Sequence, residues 1–253
     1  MKNMGLIFCA ILMGAMSIGN ADDHVSFGDP NIWIAQQLEF KEGGLETFQQ
    51  GLSEFMQSDL GKKHPGNAYL NWLMINGENP ATHGFVMTFP SIDALGRWNT
   101  AFWTGGSPEA AKWVQTFGAS VESVRDVSFT RVASWGSVTS NNPLTETVPI
   151  YTEQLPLFVE RFATWMGTKT AKKFNGSVAI HQCAYCGDSE TNALLTVSHN
   201  SSAELDEWRT TFATSEEAAT WFSEAMEISE FPGNSLIYRM ASFPVNSKSL
   251  LAE

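Results

Sequence analysis

The sequence predicts an α+β protein in which one strand-helix-strand-strand-helix-strand unit is used twice. Three observations predict it. The stretch Phe129-Thr130-Arg131-Val132-Ala133-Ser134-Trp135 returns 108 residues later as Ile237-Tyr238-Arg239-Met240-Ala241-Ser242-Phe243. Upstream, Arg97-Trp98-Asn99-Thr100-Ala101-Phe102 is answered by Glu207-Trp208-Arg209-Thr210-Thr211-Phe212, and Glu109-Ala110-Ala111-Lys112-Trp113 by Glu217-Ala218-Ala219-Thr220-Trp221. Between these repeats, alternating apolar runs and helix-spaced apolar residues follow each other in the same order in both halves.

The first 21 residues carry Lys2 as their one charge, then the apolar run Met4 to Met16, then small residues at Gly19 and Ala21. This is the pattern of a cleaved secretory signal over 1–21. The run is shorter than the roughly 20 residues a membrane span needs, and Cys9 follows Phe8 inside it, unlike a lipoprotein site. A periplasmic or secreted protein with no membrane span is expected. With 15 basic against 27 acidic residues the net charge is −12, and nucleic acid is excluded as a partner because a phosphate backbone demands clustered Lys and Arg. The acidity reads as solubility. At 43% hydrophobic content the chain can bury one large or two smaller cores.

Residues 22–30 form a polar lead-in. Unit 1 spans 31–135. It opens with a strand from Ile32 to Phe40, broken by Gly43-Gly44, and a helix follows with Leu45, Phe48, Leu52, Phe55 and Met56 at helical spacing. Tyr69 to Ile75 and His83 to Phe89 are strands around the turn residues Asn76-Gly77-Glu78-Asn79-Pro80. Ser91 caps a helix whose buried stripe is Leu95, Trp98 and Phe102. Gly105-Gly106 interrupts it, and Ser107-Pro108-Glu109 restarts it with a cap and Pro at the first helical position. Val127 to Trp135 closes the unit. A Ser-, Thr- and Asn-rich linker over 136–145 leads to unit 2 over 146–245, with a tail over 246–253. At an offset of 110, Phe158, Phe162 and Trp165 take the first helix positions, Trp208 and Phe212 replace Trp98 and Phe102, and Ser201 with Glu204 makes a capping box. Pro149 makes the first strand of unit 2 the weakest element.

This order is the ferredoxin-like βαββαβ pattern. With the Trp-x-x-x-Phe and Ser-Pro-Glu-Ala-x-x-Trp stretches of the second helix, the chain resembles a fused pair from the dimeric α/β-barrel superfamily, closest in pattern to antibiotic-biosynthesis-monooxygenase-like domains. The resemblance implies two units packed sheet against sheet as an intramolecular α/β barrel, a monomeric pseudo-dimer with further oligomerisation left open. It also implies small ligands held between sheet and helices, and a cofactor-independent monooxygenase or isomerase as one activity. Haem-degrading members carry a His on the second helix; neither 91–118 nor 201–228 contains one. No cofactor is expected.

The first chemical candidate is Cys183-Ala184-Tyr185-Cys186. In an exported chain a cysteine pair suggests a disulfide. Three strand steps separate Cα atoms by about 10 Å, beyond the reach of a disulfide at under about 7 Å, so the strand must bend before Cys186. A redox pair, metal ligation with His181, and free thiols remain alternatives, with no metal expected. The second candidate is a set of polar residues in apolar strands. Asn71 aligns with His181, and a hairpin turning near Glu78 sets His83 diagonally across from Asn71 on one sheet face. These three, with the adjacent Trp72 and with His199, which aligns with Phe89, are candidate ligand contacts. In an enzyme His83 or His181 would be the base and Asn71 its orienter.

Arg131 and Arg239 occupy equivalent strand positions, where pairing with a carboxylate is favoured over holding an acidic ligand. Trp98 and Trp208 are core residues or ligand stacks. No nucleophile elbow, phosphate loop or HExxH motif is present. With 17 Phe and 9 Trp and few catalytic groups, the first reading is an exported protein binding a small apolar or aromatic molecule in an aromatic-lined pocket. The monooxygenase or isomerase is the second, and an interaction module using an exposed sheet edge the third. Divergence at Asn71/His181 and Phe89/His199 predicts that one half is functional.

Overall fold

The computed structural model describes residues 32–77, 79–141, 143–186 and 191–243. The expected leader at 1–21, lead-in at 22–30 and tail at 246–253 lie outside the described residues. Unit 1 contributes β1 (Ile32–Phe40), α1 (Gly44–Gln57), β2 (Ala68–Ile75), β3 (His83–Phe89), α2 (Ile92–Thr104), α3 (Pro108–Ser120) and β4 (Val121–Gly136). Unit 2 repeats the order with β5 (Leu144–Ile150), α4 (Leu155–Met166), β6 (Ser177–Tyr185), β7 (Ala193–His199), α5 (Ser202–Ala213), α6 (Glu216–Met226) and β8 (Ser235–Phe243).

Local chemistry accounts for the helix starts. Ser91, Ser107, Ser201 and Ser215 each accept a hydrogen bond from a backbone N–H three residues on, satisfying an otherwise orphaned donor. Pro108 sits in the first turn of α3, where its missing N–H costs nothing. The capping box expected at Ser201 is half formed, because the Glu204 carboxylate accepts from the backbone N–H of Asn200 at 3.0 Å instead of from Ser201.

The eight strands close into an antiparallel barrel in the order β1-β3-β2-β8-β5-β7-β6-β4. Each unit supplies one four-stranded sheet, and the sheets join where β2 pairs with β8 and β4 with β6. The signature stretches of the repeat lie in these two seams. β4 is 16 residues long because its first half pairs with β1 and its second half with β6. Pro149 is accommodated because pairing of β5 with β8 ends at Thr147, which leaves position 149 facing β7 alone. Each described strand has a neighbour on both sides, so none is the edge strand that the interaction-module reading requires, although the first half of β4 and the end of β5 pair on one side only.

Alternation divides the side chains between two environments. Ile32, Ile34, Leu38 and Phe40 of β1 pack toward α1–α3 in a core with Phe48, Phe55, Phe85, Trp98 and Trp113. Unit 2 builds the matching core from Phe158, Phe162, Trp165, Ile180, Leu195 and Trp221. Phe48 and Phe158, equivalent in the repeat, are both fully buried. Replacing either with Ala is expected to cost about 3–5 kcal/mol. Because the barrel closes across both units, each variant should unfold in one transition at lower denaturant, seen coincidentally by tryptophan fluorescence and circular dichroism.

Candidate functional site

Three cavities among the described residues bear on the site: one between sheet and helices in each unit, and one between the two sheets inside the barrel. The unit 2 cavity is about 500 Å³ and is walled by Phe162, Trp165, Trp208, Phe212, Trp221 and Phe231. Its size falls in the range of pockets for small organic ligands. The indole N–H groups of Trp165 and Trp221 are buried and have no hydrogen-bond partner among the described residues.

One charged cluster meets this apolar wall. Glu146 of β5 faces the helices and accepts from Arg209 of α5, at 2.7 Å from Nη2 and 3.1 Å from Nε. Its second oxygen lies 3.3 Å from Nε2 of His199 at the end of β7. His199 is 1% exposed and turns its ring toward a separate crevice with Phe174, Gly176 and Trp208. Burial pushes the Glu146 carboxyl up, but the hydrogen bonds from His199 and Arg209 and their nearby charges outweigh it and hold the group below the usual carboxylate range.

Unit 1 has a different chemistry at the same positions. Its cavity is about 190 Å³. The pairing registers make Ile34 the counterpart of Glu146, since Ile34 faces Met87 and Glu146 faces Val197, 110 residues apart. Asn99 stands where unit 2 has Arg209. The histidine and phenylalanine at the base of the helical layer exchange places: His64 packs on Phe89 in unit 1, with ring centroids 4.9 Å apart, whereas Phe174 packs on His199 in unit 2 at 5.3 Å.

The candidates read from the sequence are dispersed among these environments. Trp98 and Trp208 line the unit 1 and unit 2 cavities respectively. Asn71 lines the inter-sheet cavity, about 440 Å³, together with Gln37, Arg125, Phe129 and Leu194. The shared face expected for Asn71 and His83 does not form. β2 and β3 pair Asn71 with Gly84 and Trp72 with His83, so Asn71 points into the barrel and His83 toward the helices, against Phe40. The hairpin register is one residue away from the expected one, and a one-residue slip exchanges faces. Trp72 is 45% exposed and lines none of the three cavities.

His181 is buried in the barrel interior against Trp33 and Phe129, with Nε2 3.2 Å from the Thr196 hydroxyl. It also lines none of the three cavities. The carboxylate pairing expected for Arg131 and Arg239 is not found among the described residues: Arg131 faces His181 across the β4–β6 seam, and Arg239 lies over the Tyr69 ring, 4.0 Å from its centroid, a cation–π contact. Cys183 and Cys186 form a disulfide with Cα atoms 5.9 Å apart. β6 ends at Tyr185, before Cys186, which supplies the bend that the spacing demands. Cys186 lies at the rim of the inter-sheet cavity.

Sequence reasoning missed Glu146, Arg209 and His64. Aligning the two units position by position would have exposed Glu146 as an acid on an apolar strand face, opposite Ile34.

No protein-family model matches the sequence, and no curated protein matches it. Solved structures do match. A candidate monooxygenase from Lactobacillus acidophilus NCFM superposes with a TM-score of 0.58 at 8% identity, over 85% of this chain and 94% of that one. A candidate monooxygenase from Fusobacterium nucleatum gives 0.59 at 9%, over 85% and 94%. An anthrone oxidase-like protein gives 0.57 at 9%, over 87% and 95%. The likeness is one of fold: two ferredoxin-like units closed into one eight-stranded barrel. At such identities the likeness establishes the barrel and leaves its contents to be read from the side chains.

Buried histidines give this barrel a pH signature, with His64 and His181 shifted furthest and His83 also lowered by burial. Burial lowers the His64 pKa to about 4 against a raising hydrogen bond to Gly66, and burial with the Arg131 charge lowers His181 to about 3. Both folded values lie below the unfolded value of about 6.5, so stability is complete above that pH and is lost as pH falls toward 4 and 3. The unfolding free energy should drop by about 1.4 kcal/mol per pH unit for each histidine. His181→Asn, which installs the residue found at Asn71, should remove one histidine's share of the slope in acid denaturation.

Proposed function

We propose that the protein binds one small, largely apolar aromatic molecule in the unit 2 cavity, its polar group directed to the cluster of Glu146 and Arg209. The observation that carries this reading is the concentration of charge at one point of an aromatic-walled cavity of about 500 Å³, with no charged counterpart at Ile34 and Asn99 in unit 1. Apolar walls supply affinity, and a few fixed polar groups set orientation. An exported location belongs to the same proposal; the leader pattern at 1–21 and the disulfide support it.

Turnover of the bound aromatic, as a cofactor-independent monooxygenase or isomerase, is the second reading. It is favoured by the oxygenase and oxidase names carried by solved structures of the same fold. Under it the acceptor closest to the ligand is Glu146, in place of His83 or His181 with Asn71, since neither histidine lines any of the three cavities. A carboxylate held below the usual range is a weak base but a good hydrogen-bond acceptor, which places binding ahead of catalysis.

Titration with 1-naphthol should quench tryptophan fluorescence to saturation at one molecule per chain from the unit 2 cavity. Val148→Phe, which fills that cavity, should abolish the saturable phase, and Glu146→Gln should weaken it several-fold. Naphthol quenching that is unaffected by Val148→Phe would remove the proposal. Oxygen consumption in the same titration separates the two readings: none is expected from binding alone.

A further inference from the structure

The unit 1 cavity is walled in part by a buried histidine. His64 follows the short helical turn Gly61–Lys63 and is 1% exposed. Its Nδ1 lies 2.8 Å from the backbone carbonyl of Gly66. A carbonyl can only accept, so Nδ1 holds the ring proton and Nε2 is a bare acceptor. That nitrogen is buried and has no hydrogen-bond partner among the described residues. Buried acceptors are ordinarily satisfied.

The ring lines the cavity. Nδ1 is engaged by the backbone, so Nε2 is the ring nitrogen left for a further partner. Phe89 and Trp98 hold it edge-on from two directions, each with centroids 4.9 Å away. The other walls include Phe55, Phe85, Phe102 and Trp113, with Gln36 and Asn99 as polar members. With burial lowering its pKa to about 4 against the raising bond to Gly66, the imidazole is neutral near pH 7 and the acceptor stays available.

We propose that the unit 1 cavity is a second, separate binding site, for a single-ring aromatic that donates one hydrogen bond to His64 Nε2, such as a phenol. Size and chemistry agree. A dry engineered cavity of about 150 Å³ takes up benzene in another protein, and the unit 1 cavity, at about 190 Å³, accommodates one ring with a small substituent. It is too small for the ligand assigned to unit 2. Phe174 occupies the place of His64 in unit 2, so the acceptor belongs to unit 1 alone.

The test uses phenol and its non-donating analogue toluene on the full chain. In ring-¹⁵N spectra of the wild-type protein, phenol should shift the Nε2 signal of His64 in a saturable manner, and toluene should leave it in place. The ratio of phenol to toluene affinity should fall about tenfold in His64→Phe, the loss of one hydrogen bond worth about 1.4 kcal/mol. Val148→Phe, in the other unit, should leave this ratio unchanged, which separates failure here from failure of the unit 2 reading. An unmoved Nε2 signal at saturating phenol, or an unchanged ratio in His64→Phe, overturns the proposal. The wild-type spectra decide the question even where the variant fails to fold.

Discussion

Every four-stranded ferredoxin-like sheet ends in two edges whose backbone donors and acceptors need partners, and in this chain each sheet lends its edges to the other. The seams β2–β8 and β4–β6 satisfy those groups and close the barrel. Closure dictates much else. It demands that β4 run long enough to serve two sheets. It packs one face of each sheet against the other, so that His181 is buried and Trp33, Arg131 and Arg239 are half-buried there, and it sends the opposite faces to two separate helical layers. The cavities exist because those layers are packed by large, stiff aromatic rings, which leave gaps where their edges fail to interlock.

Duplication then allowed the halves to diverge without disturbing the frame. Phe48 and Phe158 hold equivalent core positions at zero exposure, and the sheet registers superpose. Around the cavities the residues differ in kind. Ile34 against Glu146, Asn99 against Arg209, and the exchanged His64/Phe89 and Phe174/His199 pairs convert one architecture into a small neutral chamber and a larger charged one. Burial makes these exchanges consequential. A carboxylate on the sheet's helical face persists as an ion only because Arg209 and His199 compensate its lost hydration, and His64 remains an acceptor because the same environment keeps it neutral.

The sequence by itself determined the repeat, the order of elements, the serine caps, the aromatic cores and the bend before Cys186, because each rests on local spacing or on identity between the two halves. The resemblance drawn from those patterns implied the barrel. Tertiary structure alone decided which side chains meet. A one-residue difference in the β2–β3 register puts Asn71 and His83 on opposite faces, and no turn chemistry read from the sequence fixes a register to that accuracy. It also decided that Arg131 and Arg239 have no carboxylate within reach among the described residues, and that Glu146, Arg209 and His199, 63 residues apart at their widest, form one cluster. Strand pairing and helix packing bring such residues together through contacts distant in sequence, and periodicity along the chain carries no record of them.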